Sequence, residues 1–177
     1  MAADFDIRTN PATSDFGLLV LRIGAGATVI QAGVIKALDF NVVVDYLEAD
    51  GWQPAVAAAL MVTITEILGG VALLLGLLTP LAAGAVVSAM LCAWAADVSV
   101  AAFWSNPFNV PFLVAIAGIA LLFTGGGRFS LDQLLWGRAQ WPTLVSVLLL
   151  IVAIAAAVAT WVFLNGVNPL HLTAPAS

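Results

Sequence analysis

Charge is scarce in this chain: only 8% of its 177 residues are Asp, Glu, Lys or Arg, where soluble domains carry about 25%. With 63% hydrophobic residues and a mean hydropathy of +1.10, polar groups cannot cover a surface, and the expected solvent is lipid. Positive charge is scarcer still. Five Lys and Arg stand against ten Asp and Glu, a net −5, which excludes the basic footprint nucleic acid requires. The single cysteine, Cys92, excludes an internal disulfide, a CxxC redox pair and a thiolate metal cluster. The single histidine, His171, excludes a bis-histidine haem within the chain. No metal site and no covalently bound cofactor are expected, so a redox role would draw on a diffusible cofactor. The opening "MAADFDIRTNPATSD" lacks the basic start and short apolar run of a secretory signal. It is expected to form a cytoplasmic, disordered or surface-lying tail over 1–15, with Thr13, Ser14 and Asp15 as N-cap candidates.

What the sequence does contain is long apolar runs. About 20 apolar residues cross the hydrocarbon core, and five runs approach that length, at 16–38, 55–78, 81–103, 109–126 and 143–164. "LTP" parts the second from the third and "WSNPFNVP" the third from the fourth, so these neighbours must be antiparallel. Residues 39–54, "DFNVVVDYLEADGWQP", place Val42, Val43, Tyr46 and Leu47 at helical spacing and predict an amphipathic interfacial helix. A second short helix is expected within 125–142, in "SLDQLLWGR", capped by Ser130. A tail follows over 165–177. The expected fold class is an all-α integral membrane bundle.

Arginine distribution sets the expected orientation. A cytoplasmic N-terminus puts Arg8, Arg22, Arg128 and Arg138 at the inner side and the acidic 39–54 loop outside. Trp52 and Trp104 then mark the outer interface, Trp136 and Trp141 the inner one, and the C-terminus ends outside. Gly and Ala in "GAGAT" at 24–28, "GG" at 69–70 and "AAGA" at 82–85 permit close helix packing.

Ionisable groups inside a membrane are costly and face protein or water. Glu66 lies about 16 Å from the outer end of its predicted helix, Gln31 about 10 Å and Asp97 about 9 Å from theirs, and Arg22 about 9 Å from the inner side. Gln31, Lys36 and Asp97 therefore share the outer leaflet, with Lys36 and Asp97 as an expected ion pair. Glu66 is expected to meet Arg22 or Gln31. Two roles stay open for it: fixing helix register, or serving a bound headgroup as a proton-handling carboxylate. In the second, Glu66, Gln31, Arg22 and Asp97 would line a quinone headgroup site. Cys92 and Trp94 read as packing residues.

Three segments in order resemble the DoxX family. "LLVLRIGAGATVIQAGVIKALDF" is similar to its first helix, through Arg22, Gly24, Gln31, Gly33 and Lys36. "EILGGVALLLGLLTP" resembles its Glu-x-x-Gly-Gly run and Gly-Leu-x-Thr turn, through Glu66, Gly69, Gly70, Gly76 and Thr79. "TGGGRFSLD" resembles its Gly-Arg-Tyr-Ser-Leu-Asp segment, at Gly127–Asp132. The resemblance covers about 16–138 and implies a four-helix membrane domain, to which 143–164 adds a fifth helix. Family members often place His in the first helix, where this chain has Gln31, so no catalytic histidine carries over. The resemblance links the chain to membrane redox systems of the bacterial plasma membrane. The expected role is a non-catalytic membrane subunit of an oxidoreductase assembly, in contact with lipids and partner subunits. A quinone-binding subunit is the alternative, and a small lipid-handling or transport protein the second alternative.

Overall fold

A computed structural model describes residues 11–102 and 104–166, with the side chains of residues 11 and 12 excepted. Residues 1–10 of the tail predicted over 1–15, and residues 167–177 of the tail predicted over 165–177, His171 among them, lie outside the described residues. All regular structure in the described residues is helical: α1 (Pro11–Leu38), α2 (Phe40–Ala49), α3 (Ala55–Ile64), α4 (Gly70–Leu75), α5 (Thr79–Val100), α6 (Val110–Thr124), α7 (Leu131–Trp136) and α8 (Thr143–Leu164). A π-helical turn, Thr65–Gly69, joins α3 to α4.

Four helical stretches are long and apolar enough to cross a membrane: Thr13–Leu38, Ala55–Leu75, Thr79–Val100 and Thr143–Leu164. The predicted fourth span is shorter than expected. Its helix, α6, has 15 residues, about 22 Å against the roughly 30 Å of a hydrocarbon core. Asn109 caps it at one end, its side chain accepting from the Phe112 N–H at 3.1 Å, and Gly125 ends it at the other. The N-terminal boundary also moves. α1 is already helical at Pro11, so Thr13, Ser14 and Asp15 lie within it rather than capping it.

α5 is the centre of the bundle. It runs antiparallel to α3–α4 and α6, as the short connections demand, and parallel to α8, with Gly84 beside Leu149 and the Cys92 thiol donating to the Ala157 carbonyl at 3.5 Å. α1 runs antiparallel to α3–α4 along a seam of small residues. A Cβ at Gly26 would come within 2.9 Å of the Gly70 carbonyl, and one at Gly33 within 2.9 Å of Glu66 Cβ. Such contact brings two backbones together where lipid supplies no hydrophobic drive for association. The core between the helices is small and aliphatic, led by Val29, Leu73, Ala83, Val86 and Ala115. The outward faces carry exposed Phe163, Leu148, Val158, Leu68 and Leu113, a surface that only lipid solvates at low cost.

The two ends of the bundle are closed differently. At one end α2 folds onto α3, and Trp52 packs edge-on against Trp161 of α8, ring centres 4.9 Å apart. The Gln53 N–H donates to the Leu164 carbonyl at 2.6 Å, and the Asn165 side chain donates to the Asp50 carbonyl at 2.9 Å. At the other end α7 clasps the α4–α5 turn. Ser130 caps α7 as expected, accepting from the Gln133 N–H at 3.2 Å.

Candidate functional site

The polar residues inside the bundle divide along one stripe of α1. Arg22, Ala25, Val29, Gly33 and Lys36 recur at helical spacing and turn toward α3–α4. Arg22 and Lys36 stand at opposite ends of that stripe, about 21 Å apart in helical rise. Each therefore meets a different level of the neighbouring helix.

Lys36 meets Glu66. Its ammonium donates to both carboxylate oxygens, at 2.9 and 2.8 Å. Glu66 is 1% exposed and the Lys36 side chain 29% exposed, so the carboxylate is enclosed while the amine retains an open side. The π-turn begins at Thr65 and contains Glu66. A wide turn of this kind re-aims side chains locally and often marks a functional position. Gly33 lets α1 lie directly on this turn. The expected partners of Glu66 are thus replaced. Arg22 lies level with Gly76, about 15 Å of helix from Glu66, and Gln31 falls off the stripe and is exposed on the outside of the bundle.

Arg22 belongs to the α7 end. It is fully buried, and its Nη2 donates to the Phe129 carbonyl at 2.5 Å. Its Nε and Nη1 have no hydrogen-bond partner among the described residues. Gly76, at φ +66, leaves the space the guanidinium occupies, which a Cβ there would overlap. Asp132, also fully buried, accepts from the Leu78 and Thr79 N–H groups at 2.6 and 2.8 Å and from Trp141 Nε1 at 3.1 Å. It caps α5 across a long sequence separation, at the turn where Leu78 takes φ 45. The Arg128 N–H donates to Asp15 at 2.9 Å, tying the same loop to α1. This network is a clasp on the fold, and it brings no polar group near Glu66.

Asp97 stands at the other end. The expected Lys36–Asp97 ion pair does not form. Asp97 instead accepts from Asn109 Nδ2 at 2.9 Å, and that same asparagine caps α6.

Between α3, α5 and α8 lies an elongated cleft of about 560 Å³. It extends from Leu81 and Leu149 at the α7 end to Tyr46, Trp52 and Asp97 at the α2 end, about 24 Å measured along α5. Its walls are mostly aliphatic and small, including Ala85, Ser88, Cys92 and Ala156. Tyr46 and Asp97 reach the lining at the α2 end, and Lys36, held by Glu66, reaches it further along. Burial, then the Asp50 and Asp97 carboxylates, raise the Tyr46 phenol above its ordinary value. The cleft has the form that suits a molecule with a long apolar chain and a polar head. Of the four residues expected to line a headgroup site, Asp97 lines it directly. Glu66 stands behind Lys36, while Arg22 and Gln31 are absent from its lining.

Lys36 was legible as a polar residue of the first helix, but not as the partner of Glu66. The available signal was the spacing of Arg22, Gly26, Gly33 and Lys36 on one helical face, which excludes Gln31.

Comparison with curated proteins and with solved structures returns no match. Residues 17–104 match the DoxX family model, a range that takes in Arg22, Lys36, Glu66 and Asp97 and stops short of the Gly127–Asp132 segment. The chain is thus a multi-pass membrane protein, and over residues 17–104 it belongs to the DoxX family.

Proposed function

We propose that this protein is the quinone-binding membrane subunit of an oxidoreductase assembly, with redox centres supplied by a partner subunit. The observation that carries this reading is the cleft, apolar along its length and polar at one end. A quinone has the same division, an isoprenoid tail and a head with two carbonyl oxygens. Lys36 and Tyr46 carry the hydrogen-bond donors that would hold the carbonyls, and Asp97 an acceptor for a quinol hydroxyl. Bound quinone would supply the two-electron redox chemistry. The residues of this chain bind and orient it, and Glu66 fixes the Lys36 ammonium through two short hydrogen bonds.

In this reading the bundle sits in the bacterial plasma membrane with five crossings. The short α6 crosses with the help of the "WSNPFNVP" and "GGGR" segments at its ends, and α8 both adds a span and forms one wall of the cleft. The α7 end faces the cytoplasm with Arg128 and Arg138, and the α2 end faces outward, following the positive-inside rule. The partner subunit docks at the α2 end, where the quinone head lies.

The test is purification of the tagged protein from its native membrane in a mild detergent, with quantification of polypeptides and quinones. Stoichiometric quinone together with oxidoreductase subunits is the expected result. Ser88→Trp, which fills the cleft, should lose the quinone and keep the partners. Equal quinone in both samples would overturn the cleft as its site.

A further inference from the structure

The charge at the head of the cleft is unbalanced, and the imbalance defines a ligand class. Lys36 is the cation of the lining, and Glu66 neutralises it through hydrogen bonds of 2.9 and 2.8 Å. Asp97 has no cationic partner among the described residues. Its one described hydrogen bond, from the neutral Asn109 side chain at 2.9 Å, holds the carboxylate in place without cancelling its charge. Tyr46 lies within the fields of both Asp97 and Asp50, and Trp52, which lines the cleft, donates its Nε1 to Asp50 at 3.1 Å. Exposed Asp39, Asp45 and Glu48, on and before α2, add negative charge at the same end of the bundle. A head entering here meets one fixed negative charge, two aromatic rings and an acidic approach. Aromatic rings beside a carboxylate form a favourable site for an ammonium group.

We infer that the cleft binds single-chain amphiphiles with a cationic head, in competition with its neutral lipophile, and rejects those with an anionic head. The inference rests on the reading of the cleft as a lipophile site. It does not depend on that lipophile being a quinone. The apolar walls accept the chain whatever the head, so discrimination arises at Asp97 alone. Like charge placed against an unpaired carboxylate in a poorly solvated cleft is repelled far more strongly than in water.

The experiment uses the full-length protein in phosphatidylcholine nanodiscs, with three radiolabelled probes of equal chain length at trace level: hexadecyltrimethylammonium, hexadecanol and hexadecyl sulfate. Wild type should retain the ammonium and the alcohol, with affinity for the ammonium about ten-fold or more above that for the sulfate. Asp97→Asn should remove most of that preference, bringing the ammonium and sulfate affinities together. Glu66→Gln leaves the Lys36 charge uncompensated and should raise sulfate binding. Alcohol binding that Ser88→Trp abolishes, with equal ammonium and sulfate affinities, would overturn the charge selection and leave the cleft standing. No binding of any probe, or binding indifferent to Ser88→Trp, would overturn both.

Discussion

Lys36 of α1 and Glu66 of the π-turn form a two-pronged ion pair, 2.9 and 2.8 Å from ammonium to carboxylate oxygens, inside a helix bundle that faces lipid. The carboxylate is the enclosed partner, and the amine opens on the cleft. The pair thus joins the packing of α1 on α3–α4 to the wall of the cleft.

Breaking this pair from one side should cost more than removing it. Lys36→Met strands a buried carboxylate, a change that costs about 3 kcal/mol or more. Replacing both partners, Lys36→Met with Glu66→Met, leaves no buried charge and should recover most of that loss. Thermal unfolding in mild detergent compares the three proteins. A double variant less stable than Lys36→Met would show that the pair does not act as a unit.

The seam between α1 and α3–α4 predicts opposite signs for two glycines of the same helix. A Cβ at Gly33 meets Ile67 Cγ1 at 2.8 Å and the Ile67 backbone nitrogen at 3.0 Å. Gly33→Ala should therefore destabilise by about 1–3 kcal/mol. At Gly24 nothing lies within 4 Å, and Gly24→Ala should be neutral or stabilising by up to about 1 kcal/mol from helix propensity. Unfolding midpoints of the two variants decide this, and equal effects would contradict the seam.

Asp132 should be the most demanding residue of the α7 end. Asp132→Ala leaves the donors of Leu78, Thr79 and Trp141 without their acceptor, at a cost of about 3 kcal/mol. Asp132→Asn keeps one acceptor oxygen and should cost less. The ordering of their unfolding midpoints is the check, and an alanine variant as stable as wild type would remove the clasp from the account.

Tyr46 is the chain's one tyrosine, so its ionisation can be followed by ultraviolet absorbance without interference. It should titrate above the ordinary tyrosine value in the folded protein, because burial and the Asp50 and Asp97 carboxylates disfavour the phenolate. The folded state then holds the phenolic proton more tightly than the unfolded state. Stability from this group is present below the ordinary value and is lost as pH rises through the folded one. Asp97→Asn should move the titration downward. An unchanged titration would place Asp97 out of reach of Tyr46 and of the head of the cleft.

Helix positions were largely legible in the sequence because hydropathy and length report directly on what lipid permits. α2, the "LTP" turn and the Ser130 cap could be read from local chemistry. The π-turn could not, since nothing in "TEILG" distinguishes it from an α-helical turn. Partner choice was less legible. Residue counts from helix ends place Arg22 and Gln31 within reach of Glu66 only when each helix is a line with an outer end. The real register is set by Gly26 against Gly70 and Gly33 against Glu66. That register slides Lys36 down to the carboxylate and leaves Gln31 on the outside. The cleft was illegible for a related reason. It lies between α3, α5 and α8, and the order of helices in the chain does not state which faces two non-consecutive helices turn toward each other.

Photoaffinity labelling with an azido-quinone analogue, followed by peptide mapping, tests the central claim most directly. Labels on the cleft walls, at Ala85, Ser88, Cys92 or Ala156, that excess unlabelled quinone suppresses are the predicted result. Labels confined to the outward faces, such as Leu148, Val158 or Phe163, and indifferent to competitor would contradict a quinone site in the cleft.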